Sequence, residues 1–273
     1  MVLHRSILTV FAITVGVAIS AAPAQAQRAP DLATLDRGDG ITKIGIDLGL
    51  DLIDGPYSAA LRIEPFGQYV LKMGLGFYGA FPITRSFGGG GDPPPDDAFG
   101  IGNVDLGLLY VIEPSPDISW VLRGGVALPT ASDSVDGAAT NFYGVFPRLT
   151  DVALTTPDAF YLRVGVSPLI HVRRLYLRVD LGADIGSDDA DIADELIRFN
   201  VGGGIDLGVV ALGAELVNLY SIDAEEFTHT IAGTVRIMGD SIQPLIALGT
   251  PLDEGARDVV PVFVSVGLQY VPR

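Results

Sequence analysis

Apolar and polar residues alternate at every second position over most of this chain, and beyond the leader no apolar run is long enough for a membrane-spanning helix. Ile44, Ile46, Leu48, Leu50 and Leu52 are interleaved with Gly45, Asp47, Gly49 and Asp51. Val104, Leu106, Leu108, Tyr110 and Ile112 oppose Asn103, Asp105 and Gly107, and Leu175, Leu177, Val179 and Leu181 oppose Arg174, Tyr176, Arg178 and Asp180. The same holds near 197–207 and 262–270. A strand turns successive side chains to opposite faces, so each run has one apolar face and one face of glycine and charge. The pattern predicts twelve strands, near 41–53, 57–66, 70–81, 99–112, 117–129, 159–169, 171–185, 196–207, 209–219, 227–239, 241–249 and 258–271.

The connections sort themselves by length. Those after even-numbered strands are short, around Gly67-Gln68, Glu113 to Pro116, Ile170, Gly208 and Asp240. Those after odd-numbered strands are long, at 82–98, 130–158, 186–195, 220–226 and 250–257, except for a tight turn near Asp54-Gly-Pro56. An even strand count, with short turns at one end and long loops at the other, is the pattern of a bacterial outer-membrane barrel with both termini on the short-turn, periplasmic side. Backbone groups in lipid need internal partners, which strands supply only by closing into a barrel. Pro244 and Pro261 cannot donate to a ladder and are expected near a rim. Phe87 to Pro95 has no periodicity and reads as a flexible loop.

The polar face decides between a barrel in lipid and a soluble sandwich. The chain holds 33 acidic and 17 basic residues, a formal charge of −16. A solvent-facing surface should show that excess. Instead, eight cations on the polar face (Arg62, Lys72, Arg123, Arg163, Arg174, Arg178, Arg198 and Arg236) meet eight anions (Asp47, Asp51, Glu64, Asp105, Asp180, Asp184, Asp206 and Glu215). Such balance suits a crowded, self-neutralising lumen. Inward glycines (Gly45, Gly49, Gly74, Gly76, Gly107, Gly182, Gly202 and Gly204) leave room that long arginines take back, which predicts a narrow or partly occluded passage.

His4 and Arg5, the apolar stretch Ile7 to Ile19 and the small residues Ala22 to Ala26 read as a secretory leader cleaved near Ala26 or Gln27. The domain division is 1–27 leader, 28–40 periplasmic N-terminal segment and 41–273 outer-membrane barrel. With no cysteine there is no disulfide, thiolate metal site or thiol nucleophile. Strong negative charge argues against a nucleic-acid partner.

Phe99-Gly-Ile-Gly-Asn-Val-Asp-Leu-Gly-Leu-Leu-Tyr110, followed by Leu122 to Thr130 ending in Leu-Pro-Thr, resembles the outer-membrane transporters grouped as the meta-pathway phenol-degradation family. Gly79-Ala-Phe-Pro82 is similar to that family's G-x-P segment. The resemblance covers about residues 70–130. Asn103 stands where the family carries Asp, Ala131 stands where it carries Gly, and Tyr270 is followed by Val-Pro-Arg rather than ending the chain. The resemblance implies passage of small hydrophobic compounds.

Catalytic motifs H-E-x-x-H, G-x-x-x-x-G-K and G-x-S-x-G are absent from the sequence. His229, near the outer end of its strand with Ser221 across a short loop, is the one conceivable Ser–His pair; an interfacial histidine is the simpler reading. The acidic run Gly186 to Glu195 has hard oxygen ligands but lacks the spacing of a calcium loop, so a solvated rim is the simpler reading there. With Asp223, Glu225 and Glu226 it favours cations or neutral solutes at the mouth.

The expectation is an all-β fold: a transmembrane, antiparallel up-and-down β-barrel of about twelve strands in the outer membrane, inserted by the barrel-assembly machinery and surrounded by outer-membrane lipid. It would act without enzymatic activity, cofactor or metal as a passive channel for small, hydrophobic or cationic molecules. Arg62, Arg123, Arg163, Arg178, Arg198, Asp105, Asp180 and Asp206 are the pore-lining candidates. The alternative is a non-conducting structural or surface-interaction barrel whose acidic outer loops meet partners.

Overall fold

A computed structural model describes residues 30–35, 37, 39–89, 95–187 and 195–272. Twelve strands form one antiparallel sheet that closes on itself. They are β1 (Lys43–Leu52), β2 (Tyr57–Val70), β3 in two pieces (Leu75–Ala80 and Ile83–Gly88), β4 in two pieces (Ala98–Ile101 and Val104–Ser115) and β5 (Ile118–Leu128). They continue with β6 (Phe160–Val172), β7 (Leu175–Ser187), β8 (Leu196–Asp206), β9 (Val210–Ser221), β10 (Glu226–Ile237), β11 (Ile242–Pro251) and β12 (Val262–Tyr270). Each strand pairs with its sequence neighbours, and β1 pairs with β12 from Ile44↔Tyr270 to Leu52↔Val262, which seals the cylinder.

The alternating pattern sorts by face as period two demands. Ile46, Leu48, Leu122, Leu177, Phe199 and Val266 point outward and are exposed, while Arg62, Glu64, Asp180, Arg198 and Arg236 point inward and are buried. An exposed apolar band around a buried polar interior is the inverse of a soluble protein and belongs in lipid.

Several boundaries differ from the sequence expectation, each for a local reason. The first short turn lies at Leu71 to Gly74, not at Gly67-Gln68, because Gly74 supplies the positive φ (87°) that the turn needs. Lys72 therefore sits exposed in that turn, and Arg174 is exposed beside Arg173, itself at positive φ; neither belongs to the lumen. The stretch expected as a loop from 82 onward continues as strand to Gly88 after a break at Phe81-Pro82. That break faces Glu64-Pro65, with Pro65 opposite Phe81 and Pro82 opposite Glu64, so both prolines fall where the ladder is interrupted, and Phe81 N–H still reaches the Pro65 carbonyl at 3.1 Å. Pro244 is the third residue of β11 and Pro261 immediately precedes β12, both near the ends of their strands. Of the Phe87 to Pro95 loop, residues 90–94 lie outside the described set, as do 188–194 of the acidic run and the whole expected leader.

Two segments expected outside the barrel wall run into its interior. Residues 130–158, expected as a loop, hold α1 (Val135–Tyr143) and a kinked 3-10 segment (Phe146–Leu154) whose helical course is interrupted at Arg148 and Asp151. Ser134 caps α1 by accepting the Gly137 N–H, and Pro147 occupies the first turn of the 3-10 helix, where its missing donor is harmless. The segment before β1, expected in the periplasm, has Asp31 to Leu35 buried within the cylinder. A second short helix, α2 (Glu254–Val259), sits at the long-loop end.

An arginine at a lipid-facing midplane position costs about 2–4 kcal/mol in barrels of this kind. Leu122→Arg, central in β5 and outward, is expected to lose that much in urea titrations of folding into lipid vesicles, whereas Leu122→Ala should lose far less. Equal losses would show that this face does not meet acyl chains.

Candidate functional site within the barrel

The lumen is filled from both ends. From the long-loop end comes the insert 131–159. Its 3-10 helix is buried along nearly its whole length, and Pro147 presses so close to β1 that a Cβ on Gly49 would stand 2.7 Å from the ring. α1 caps the same end: Asn141 Nδ2 donates to the Ile101 carbonyl at 2.8 Å, and Ser86 and Thr140 hydroxyls bond at 2.7 Å.

Asn103 fastens the insert to the wall. It occupies the break between the two pieces of β4, where its backbone N–H leaves the sheet for the Leu154 carbonyl at 2.7 Å. Its Oδ1 accepts from the N–H groups of Thr130 and Ala131, both at 2.8 Å. Its Nδ2 donates to the carbonyls of Ala153 (3.0 Å) and Thr156 (2.9 Å). One fully buried amide thus joins the start and the end of the insert to β4, a task for a side chain with both donors and an acceptor. The motif stretches around Gly102-Asn103 and Leu128 to Ala131 meet here.

Ionic contacts organise what lies between. Arg148 and Asp151, three residues apart on the 3-10 helix, pair at 2.7 Å. Asp151 then reaches Arg163 on β6 at 3.3 Å and Arg62 on β2 at 3.4 Å. Arg163 also holds Asp105 at 2.8 Å and Asp184 at 3.1 Å, and Arg198 holds Asp184 at 2.8 Å. Arg62 pairs with Glu64. Buried charges persist only when partnered, and here the wall charges of β2, β4, β6, β7 and β8 find partners in each other and in the insert.

From the short-turn end comes the N-terminal segment, folded back on itself before β1. Asp31 lies against Lys43 (2.5 Å), Arg178 (3.5 Å) and Arg236 (3.9 Å), and its carbonyl accepts from Arg236 Nε at 3.1 Å. Glu215 accepts from the N–H groups of Ala33 (3.0 Å) and Thr34 (2.6 Å) and from the Thr34 hydroxyl (2.7 Å). Arg37 lies over the Phe66 ring, 4.2 Å from its centroid, and pairs with Asp47 at 2.6 Å and with Glu64. Asp39 returns to Lys43 at 2.7 Å and accepts from Gln68 at 3.1 Å. The two intruding segments touch: Arg148 Nη1 donates to the Ala33 carbonyl at 3.1 Å. Cavities at this junction are small, about 10 Å³ beside Ala33, Gly49, Pro147 and Arg148 and about 20 Å³ beside Tyr78, Arg123, Arg148 and Asp151. Each has room for about one water.

All eight pore-lining candidates are in strands with their side chains on the inner face. Arg62, Arg163, Arg178, Arg198, Asp105 and Asp180 belong to the ionic contacts just described, Arg178 pairing with Asp180 at 2.8 Å. Arg123 is half-buried beside the larger cavity. Asp206 accepts the Gly208 N–H at 2.7 Å and closes a short turn. Sequence reasoning missed Asp31, Arg37, Lys43, Arg148 and Asp151, and it registered Asn103 only as a departure from the family pattern. Ser221 and His229 are not brought together. Ser221 lies opposite Glu226 and accepts the Ala224 N–H, while His229 lies opposite Asn218 with its Nδ1 2.9 Å from Asp253. Burial pushes the Asp253 carboxyl up, but hydrogen bonds from the His229 ring and backbone outweigh it and hold the group below the usual carboxylate range. No cluster of three or more metal-ligating side chains occurs among the described residues.

No family model matches the chain, and no curated protein matches it in sequence. Solved structures do resemble it. An outer-membrane channel from Pseudomonas putida F1 is similar with a TM-score of 0.61 at 13% identity, over 93% of this chain and 100% of that one. The KdgM porin in complex with disordered oligogalacturonate is similar with a TM-score of 0.53 at 11% identity, over 84% and 99%. The NanC porin is similar with a TM-score of 0.53 at 9% identity, over 84% and 100%. At these identities the likeness is one of fold: an outer-membrane β-barrel.

Asn103→Asp keeps the shape and the acceptor but sets a carboxylate oxygen against the Ala153 and Thr156 carbonyls. A buried polar group left without its partner costs about 1–3 kcal/mol. Hydrogen exchange at the amides of Val152 to Thr155 is therefore expected to accelerate by about tenfold or more, with the barrel's heat-modifiable migration unchanged. Unaltered protection would show that this amide does not hold the insert.

Proposed function

We propose that the chain is an outer-membrane channel for passive passage of small molecules, held closed here by two segments of its own. The carrying observation is that the filling belongs to chain segments distinct from the wall. The N-terminal segment and the insert meet through the Arg148 to Ala33 hydrogen bond and belong to one buried apolar cluster, and each grips the wall through ion pairs and hydrogen bonds. Order–disorder of such a segment is a common gating device. In this reading the short-turn end faces the periplasm and the long loops face outward. The wall that remains when the segments withdraw is a twelve-stranded cylinder whose inner face carries Arg62, Arg123, Arg163, Arg178, Arg198, Asp105, Asp180 and Asp206.

The barrels it resembles are channels and porins, one of them in complex with oligogalacturonate, which supports a conducting role. The resemblance of residues 70–130 to phenol-pathway transporters supports small hydrophobic solutes. The acidic outer loops support neutral or cationic solutes at the mouth. One observation favours the alternative of a non-conducting structural barrel: the junction cavities admit about one water each.

Planar-bilayer recording separates the two. The full chain is expected to be closed most of the time, with brief openings. Arg148→Ala removes the bond to Ala33 and one partner of Asp151, and truncating one member of a buried pair typically costs about 3–5 kcal/mol. It is expected to raise the open fraction at least tenfold. A second variant lacking 145–155 should conduct continuously. Silence from all three proteins, each shown to be folded by heat-modifiable migration, would leave the structural barrel as the answer.

A further inference from the structure

We infer that the N-terminal segment occupies a binding site for small apolar carboxylic acids at the short-turn end of the lumen, with Asp31 and Leu32 standing in for the ligand. The inference rests on the channel reading and names its solute class.

The site is built from the wall. Lys43 on β1, Arg178 on β7 and Arg236 on β10 converge from three directions, and each is almost wholly buried. Their shared contact is the Asp31 carboxylate. The wall does little to neutralise two of the three. Among the described residues, the carboxylates paired with Lys43 are Asp31 and Asp39, both on the segment, and the one paired with Arg236 is Asp31. Arg178 keeps Asp180. Withdrawing the segment therefore strips two buried cations of every carboxylate they hold, which in a confined, low-dielectric lumen demands another anion.

The neighbouring surface is apolar. Leu32 fills a hollow that β8 and β9 create by carrying glycine: a Cβ on Gly202 would stand 2.5 Å from Leu32 Cδ1, and one on Gly213 would stand 2.9 Å from Cδ2. Tyr176 floors the hollow, its hydroxyl satisfied by the Leu212 carbonyl at 3.0 Å. Leu35 closes it from the segment's side. A carboxylate one bond or two from a compact apolar body reproduces what Asp31-Leu32 presents. Benzoate or hexanoate has that shape. Acetate lacks the body, benzyl alcohol lacks the charge, and benzylammonium has the wrong sign. The acidic outer loops do not bar such an acid, because exposed charges are screened beyond about 8 Å at physiological salt.

Ligand and segment then compete for one place, so the acid also acts as the key that frees the periplasmic half of the lumen. The affinity of the site is reduced by the fraction of time the segment leaves it open.

Hydrogen exchange on the full chain in detergent or lipid reads this directly, because the Ala33 and Thr34 amides are protected only while the segment is bonded to Glu215. Titrating benzoate into the wild-type chain is expected to lift their protection in a saturable manner, while benzyl alcohol and benzylammonium leave it intact. Asp31→Asn removes the competitor and should tighten benzoate binding about tenfold; adding Lys43→Gln and Arg236→Gln should abolish it. Should Asp31→Asn fail to fold, the wild-type titration decides alone. Protection unchanged at saturating benzoate, or lifted equally by benzyl alcohol, overturns the inference. Conductance, measured separately, keeps the two claims apart: openings with no benzoate effect sink the carboxylate site and leave the channel, whereas benzoate binding without openings in any variant sinks the channel and leaves the site.

Discussion

Most of the interior of this barrel follows from one constraint: a charge inside a closed cylinder, walled by lipid, has to be partnered. Twelve strands enclose a lumen wide enough to hold more than wall side chains, and period two turns arginines and carboxylates into it from nearly every strand. Water would solvate them in an open pore. Here neighbours do so instead, in chains such as Arg198–Asp184–Arg163–Asp105 that run around the wall, and in chains such as Arg62–Asp151–Arg148 that run from the wall into the insert. The insert and the N-terminal segment are folded because of those charges. Short 3-10 turns joined by a kink, as in Phe146–Leu154, have no stability of their own, and a segment such as Asp31 to Leu35 has no regular structure at all.

The wall was legible in the sequence because its signal is redundant. Alternation repeats over twelve strands, and the sorting of short and long connections reports the same architecture independently. The errors lie where one residue outweighs a pattern, as when Gly74 moves a turn by several positions, or where Pro65 and Pro82 share one interruption of the ladder and the strand resumes beyond it. The inner face was legible in kind but not in detail. Period two places Arg163 or Asp180 inside the barrel, yet says nothing about which carboxylate each one meets.

The filling was not legible, for a physical reason. Residues 130–158 and 28–40 lack strand periodicity, so they read as solvent-exposed connections. The burial of Phe146 to Leu154 and of Asp31 to Leu35 depends on a cavity formed by other parts of the chain. Traces of it were nevertheless present. Phe146-Pro-Arg-Leu-Thr-Asp-Val-Ala-Leu154 is too apolar for an outer loop, and its one cation and one anion stand three residues apart, near enough along the chain to neutralise each other. Asp31-Leu-Ala-Thr-Leu35 is likewise more apolar than a linker. The abundant inward glycines were read as open space, and that was half the truth. Gly49 and Gly202 make room, but the room is taken by Pro147 and Leu32.

The two intruding segments are not equivalent, and their charges say how they differ. The buried part of the insert carries Arg148 and Asp151, a pair that neutralises itself. It leaves or returns without changing the charge of the lumen, and each wall group it abandons keeps another partner: Glu64 for Arg62, Asp105 and Asp184 for Arg163. Its release is opposed mainly by packing and by the hydrogen bonds of Asn103. Among the described residues, the N-terminal segment takes away Asp31 and Asp39 together with Arg37, a net loss of negative charge that leaves Lys43 and Arg236 in deficit. Lumenal water alone compensates such a deficit poorly, because solvation of a buried ion falls steeply with local dielectric. On the channel reading proposed above, the insert is the segment that thermal fluctuation releases, whereas the N-terminal segment leaves at low cost only when an anion replaces what it removes. On that reading the acidic mouth exerts only a screened preference, and the sharper selection falls at the inner end.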